Sequence, residues 1–179
     1  MQERCKIGVV IGNANSPHAI NIMKGIDQAS KECDVQLMYF MNVSSPYTAQ
    51  LYPPDKSIGW DYQKSAIYDY ARYVKADVLI MTYGMMSIFM KSDYGKQYLE
   101  YFRNVPCVLI NEQTDRPNWT SIIVDNYNGM YELVEHLVRD HGYHNFAFLA
   151  GPPGNTDACQ RKRAFLDVMK KYDLPMDES

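Results

Sequence analysis

Short apolar runs alternate along this chain with polar stretches whose apolar residues recur at helical spacing. Six runs read as strands: KIGVVI from Lys6, VQLMYF from Val35, DVLIM from Asp77, CVLIN from Cys107, SIIVD from Ser121 and FAFLA from Phe146. Each is nearly continuous in apolar residues rather than alternating, the pattern of parallel strands covered on both faces. Ile22, Ile26, Ala29 and Cys33 predict a helix over 17–31, with Ser16 as N-cap and Pro17 as its first residue. Ala66, Ile67, Tyr70, Ala71 and Val74 predict a second over 60–75, and residues 94–103 a shorter third. Met130, Leu133, Val134, Leu137 and Val138 give a fourth stripe, and Asp157 with Gln160 forms a capping box that opens a fifth helix over 158–172.

Strands alternating with helices indicate an α/β fold, a doubly wound and mostly parallel sheet. The 41–59 stretch is long, polar and aromatic, with no clear period. It reads either as a lid, binding or interface loop, or as a disordered insertion. Nothing follows LPMDES, although a returning sheet needs further βα units of ~30 residues each, so the expectation is a piece of a longer protein.

Composition narrows the classes. Hydrophobic residues are 46% of the 179 and charged residues 22%, enough apolar content for a packed core. With a net charge of −3, the compact basic cluster Arg161-Lys162-Arg163 is a poor nucleic-acid footprint. No apolar run approaches the ~20 residues of a membrane span, and MQERCKIGVVIG places a short polar lead before a strand, unlike a secretory signal. Cys5, Cys33, Cys107 and Cys159 form no CxxC pair, which points to a reduced, cytoplasmic setting, where the sequon at Asn118 is incidental.

Ligands of open α/β sheets bind beyond the carboxyl ends of the strands. That rule selects Asn13, Asn15, Ser16 and His18 after the first strand, Thr82 and Tyr83 after the third, and Asn111 and Glu112 after the fourth. It adds Asp125, Asn126 and Asn128 after the fifth, and GPPGNTDACQR with Arg161 after the sixth. Amides, hydroxyls and aromatic rings suit a neutral polyhydroxyl or heterocyclic molecule. Arg161 stands about one turn into a helix whose N-terminal dipole disfavours it, so it either has a polar partner or points into water or at Asp157. GPPG is no Walker loop, since Pro152 and Pro153 lack N–H groups and no Gly-Lys-Ser/Thr follows. IGNANS has one glycine where a dinucleotide fingerprint needs three. There is no GxSxG elbow. His136, His141 and His144 lack the i, i+4 spacing of a helical zinc pair and read as capping or surface groups. No catalytic residue, metal or cofactor is expected.

The run SIIVDNYNGMYELVEHLVRDHGYHNFAFLAGPPGNTDACQRKRAFLDVMKKYDLP closely resembles the effector-binding core of the lactose/galactose-repressor family, which shares the periplasmic-binding-protein fold. The matching features are VDN with a following NG, VEHL, HG before a strand, AGPP, and an arginine followed by Ala-Phe; KIGVVIGNANSPHAINIMKGIDQASKE, ADVLIMT and VPCVLINE fit the family's earlier elements. The resemblance implies two α/β lobes with a small-molecule effector in the cleft between them: a near-complete first lobe over 1–124 and a truncated second over 125–179. It places Asn128 at a position that often contacts effector and Arg161 at the family's effector-anchoring arginine. With the strand-end rule, this makes Asn13, Asn15, His18, Tyr83, Glu112, Asn128 and Arg161 the candidate ligand-binding set.

Two departures stand out. Strand one begins within a few residues of Met1, where the family's repressors place a helix-turn-helix, so direct nucleic-acid binding by this segment is not expected. The 41–59 stretch is also longer than in typical repressors. Both features are similar to repressor-like sensor regions that precede histidine kinase or diguanylate cyclase modules. The expectation is a non-catalytic bacterial sensing region, a possible homodimer, with no membrane contact. The alternatives are a small α/β enzyme using Glu112 or Asp125 as acid or base, and a dimerisation module built on the tyrosine-rich helix and the long loop.

Overall fold

The computed structural model describes residues 4–43, 62–87, 92–151 and 155–175. The chain divides into two compact units, Met1–Ile123 and Val124–Ser179.

The first unit is built on β1 (Lys6–Ile11), β2 (Gln36–Met41), β3 (Val78–Met81), β4 (Cys107–Ile110) and β5 (Trp119–Ile122). These form one parallel sheet in the order β2-β1-β3-β4-β5. Its helices are α1 (Pro17–Cys33), α2 (Tyr62–Tyr70), α3 (Tyr83–Ser87) and α4 (Ser92–Tyr101). The continuous apolar runs have a direct cause. Val10 of β1 faces a cluster with Phe40, Leu79, Met81, Tyr68 and Tyr98, while Val9 and Ile11 face a second cluster with Ala19, Ile22 and Ile26 of α1. Burying one such aliphatic side chain stabilises by roughly 1.5–3 kcal/mol, so a polar residue on either face is disfavoured. On α1, the Ser16 hydroxyl accepts the Ala19 N–H at 3.2 Å, and the helix ends at Asp34, whose left-handed backbone (φ 49°) directs its N–H to the Ser30 carbonyl. Tyr98 ties α4 to α2 by donating its hydroxyl to the Tyr68 carbonyl at 2.9 Å.

The second unit pairs α5 (Asn126–Arg139) with α6 (Thr156–Lys171). Val134 and Val138 of α5 pack with Phe165, Val168 and Met169 of α6. At the rim, Lys171 Nζ donates to Glu135 at 2.6 Å and the Tyr127 hydroxyl to Asp167 at 2.7 Å.

Several expectations shift. FAFLA is not a strand, because a strand exists only by pairing and the second unit offers no partner strand among its described residues. The segment is instead one-sided: Phe146 and Phe148 pack on Phe165, with centroids 6.3 and 4.7 Å away, while Leu149 is 99% exposed. The fifth strand is WTSI rather than SIIVD. Its limits follow the ladder from Cys107↔Trp119 to Ile110↔Ile122, and Ile123 runs on past the end of β4. The 60–75 helix stops at Tyr70, and Ala71 and Val74 reach the core from the turn that follows. The cap of α6 is Asn155, whose Oδ1 accepts the Ala158 N–H at 2.8 Å, so Asp157 sits inside the first turn, where the helix dipole favours it. Tyr83 opens a short helix where a loop was expected. Of the 41–59 stretch, Met41 closes β2, and residues 44–59 lie outside the described residues, as do 152–154 of GPPG. Among the described residues no helix is long and apolar enough to cross a membrane.

Candidate functional site

Strand order reverses at β1, which has β2 on one side and β3 on the other, and an open parallel sheet forms its ligand crevice at such a point. Gly12 ends β1 there. A Cβ on it would stand 2.6 Å from the Met85 carbonyl carbon and oxygen, so only glycine lets α3 approach. Its N–H donates to Oγ1 of buried Thr82 at 3.1 Å. Asn13 follows with φ 50°, a left-handed turn that Asn tolerates better than most residues. That turn aims its N–H at Oδ1 of Asn42, 2.7 Å away, and the Ala14 N–H meets the Asn42 carbonyl at 2.8 Å. Asn42 is only 6% exposed, and its Nδ2 has no partner among the described residues. Pattern reading missed Asn42 because it opens the aperiodic 41–59 stretch. Applying the strand-end rule to β2 as well would have found it.

On the first turn of α1, His18 stands exposed, and its Nε2 accepts from Nδ2 of Asn111 at 2.9 Å. Asn111, directly after β4, is also left-handed, with φ 61°. Tyr83 begins α3, and Gly95 makes room for its hydroxyl, which lies 2.5 Å from where a Cβ would be. Burial raises the Tyr83 pKa, and the Glu112 carboxylate raises it further, so the phenol stays protonated and able to donate. Asn15 is exposed on the β1–α1 turn. The structure thus brings Asn13, His18, Tyr83 and Glu112 to the carboxyl edge of the sheet, together with Thr82 and Asn111 that the strand-end rule also selected, and adds Asn42.

In the second unit Asp125 caps α5. Its Oδ1 accepts the Asn128 N–H at 3.0 Å and its Oδ2 the Asn128 side-chain amide at 2.7 Å, which together lower the Asp125 pKa. Arg161 Nη1 donates to Oδ1 of Asn126, a buried residue whose Nδ2 donates to the Val124 carbonyl at 3.2 Å. Asn126 and Asn128 stand two positions apart and do not share a face of α5. Arg161 is therefore joined to Asn126, not to Asn128.

No protein-family profile matches the chain. Over 118 residues it is 25% identical to the probable HTH-type transcriptional repressor ExuR of Bacillus subtilis (strain 168), covering 60% of this chain and 35% of that protein. Over 95 residues it is 28% identical to the HTH-type transcriptional repressor PurR of Photorhabdus laumondii, covering 51% and 28%. Its fold superposes on the Lac repressor bound to ONPG with a TM-score of 0.67, at 19% identity over 97% of this chain and 47% of that one. It also superposes on a sugar-binding LacI-family regulator from Escherichia coli complexed with phosphate, with a TM-score of 0.62, at 14% identity over 97% and 55%. The chain has the fold of a LacI-type repressor core. It spans about a third of the length of these relatives and about half of these solved structures. The proteins it resembles are transcriptional regulators rather than enzymes, and they lend no support to a kinase or cyclase setting.

Proposed function

We propose that this repressor-like core is a non-catalytic ligand sensor that takes a small, polar, sugar-like effector at the carboxyl edge of its sheet and controls an attached transcriptional output. One observation carries the reading: buried Asn42 meets Asn13 at the strand ends and its Nδ2 has no partner among the described residues, while Thr82 and the His18–Asn111 pair stand further along the same carboxyl edge. Leaving such a donor unsatisfied costs about 1–3 kcal/mol, and an effector hydroxyl accepting from it offsets that cost. Tyr83 supplies a second donor, and Asn111 and His18 form a polar rim that discriminates among hydroxyl patterns. Arg161 and Asn128 are proposed separately, as polar groups that the second unit by itself offers to an effector. A switch follows only if the effector binds one state of the protein more tightly than another. A cytoplasmic homodimer is part of this proposal.

The test is thermal denaturation of the purified chain against a panel of neutral mono- and disaccharides. At least one sugar should raise the midpoint, and Asn42→Ala and Asn111→Ala should each remove that rise while keeping the parent's far-ultraviolet circular dichroism. A rise that survives both substitutions would falsify this site assignment.

A further inference from the structure

His136 and His141 are five residues apart, a spacing that a continuous helix does not bring into register. The turn that ends α5 does so instead. Gly142 takes a left-handed backbone (φ 66°), its N–H meets the Val138 carbonyl at 3.1 Å, and the Tyr143 N–H meets that of Leu137 at 3.1 Å, closing a Schellman-type cap. This folds His141 back over the last helical turn. Nε2 of His141 then lies 3.0 Å from Nε2 of His136, with the rings edge to face at 83°. Tyr143 stacks on the outer face of His141, 5.7 Å between centroids, and orients it.

On its other side His136 donates from Nδ1 to Oδ2 of Asp140 at 2.7 Å. Arg139 holds that carboxylate from Nε at 2.8 Å and Nη2 at 3.1 Å, so the nearby guanidinium charge is already engaged. A proton fixed at Nδ1 leaves Nε2 of His136 with its lone pair outward. The carboxylate–imidazole pair facing an open coordination position is the arrangement that supports metal-bound histidines.

We propose that His136 and His141 form a bidentate imidazole site for a divalent transition metal of the copper or nickel type, with Asp140 positioning His136. Two imidazole nitrogens, without a third protein ligand among the described residues, suit a tetragonal ion whose other positions water fills, and the separation is compatible with it. With metal–nitrogen bonds of about 2.0–2.1 Å, nitrogens 3.0 Å apart subtend roughly 95° at the ion. That fits the cis angle of tetragonal Cu(II) or Ni(II). A tetrahedral zinc angle needs about 3.3 Å instead. Both rings are exposed, and exposed side chains reorient within nanoseconds, so the lone pairs can swing onto one ion. On metal binding the proton that His141 donates from Nε2 passes through solvent to its own Nδ1, so both Nε2 lone pairs become free for the ion and no net proton is lost. Among the described residues no group of three His, Cys, Asp or Glu side chains is arranged to hold a metal ion, and Asp140 faces Nδ1 of His136 rather than the ion, so water completes the coordination shell.

The experiment titrates the 179-residue chain with cupric chloride, using magnesium chloride as control, and follows binding by calorimetry and electron paramagnetic resonance. The parent should show two equatorial nitrogens. His136→Gln and His141→Gln should each show one or none, with Kd raised at least tenfold, whereas His144→Gln should bind as the parent does. Asp140→Asn should weaken binding by about 10–100-fold while keeping two nitrogens. A second readout needs no variant: substoichiometric Cu(II) should broaden the ring protons of His136 and His141 before those of His18 and His144. Broadening that begins at His18 or His144, or equal affinity in the His136→Gln/His141→Gln double variant, overturns the site.

Discussion

Arg161 donates through Nη1 to Oδ1 of Asn126, thirty-five positions earlier, and so joins the first turn of α5 to α6. The guanidinium thus has a structural partner as well as a proposed effector. Arg161→Ala leaves the buried Asn126 oxygen unsatisfied and should destabilise the second unit by about 1–3 kcal/mol. It should also abolish any sugar-induced rise in the thermal midpoint. Arg161→Lys separates the two roles: a lysine restores a donor without the two-pronged geometry, so stability should recover further than binding. Denaturation with and without sugar measures both, and parental binding in Arg161→Ala removes Arg161 from the site.

Gly12 marks where the end of β1 meets α3. A methyl group there collides with the Met85 backbone at 2.6 Å, and backbone cannot rotate aside as a flexible side chain would. Gly12→Ala should therefore cost about 1–3 kcal/mol. It should also loosen Asn13 and Asn42, lowering sugar affinity more than the stability loss explains. Urea denaturation and calorimetry on the one variant separate the two effects.

Tyr98 is fully buried, and its hydroxyl reaches the Tyr68 carbonyl at 2.9 Å. Tyr98→Phe keeps the ring and its edge-to-face contact with Phe102 but leaves that carbonyl short of a donor. A loss of about 1 kcal/mol is expected, with sugar affinity unchanged, since Tyr98 lies in the core beneath the sheet rather than at its carboxyl edge. Unchanged stability would show that the α2–α4 tie contributes nothing.

The thiols should divide by burial. Cys5, Cys33 and Cys159 are exposed, whereas burial pushes the Cys107 thiol up from 9.0 to about 12, with Arg116 pulling weakly the other way. Iodoacetamide at pH 8 should label the three exposed cysteines of the folded chain and reach Cys107 only in denaturant, which peptide mass spectrometry reads directly. The linkage has a definite sign. Above pH 9 the unfolded thiol has lost a proton that the folded one keeps, so this group's stabilisation is complete below about pH 9 and is lost as pH rises toward 12.

Residue pattern alone determined much of this protein. Continuous apolar runs specify parallel strands, the helical stripes follow from period, and Ser16-Pro17 announces α1, because these signals are local. The strand-end rule then put Asn13, His18, Tyr83 and Glu112 at the carboxyl edge of the sheet, where the structure has them, and their effector role is proposed. Pairing decided the rest. FAFLA has the composition of a strand but no partner strand among the described residues of its unit, and the limits of β5 were set by β4 rather than by its own residues. Which side chains meet was likewise a tertiary matter: Asn42 beneath Asn13, Arg161 on Asn126, and His141 turned back onto His136 by the left-handed Gly142. Such contacts depend on where separate elements end and how the chain turns between them, and no periodicity records either.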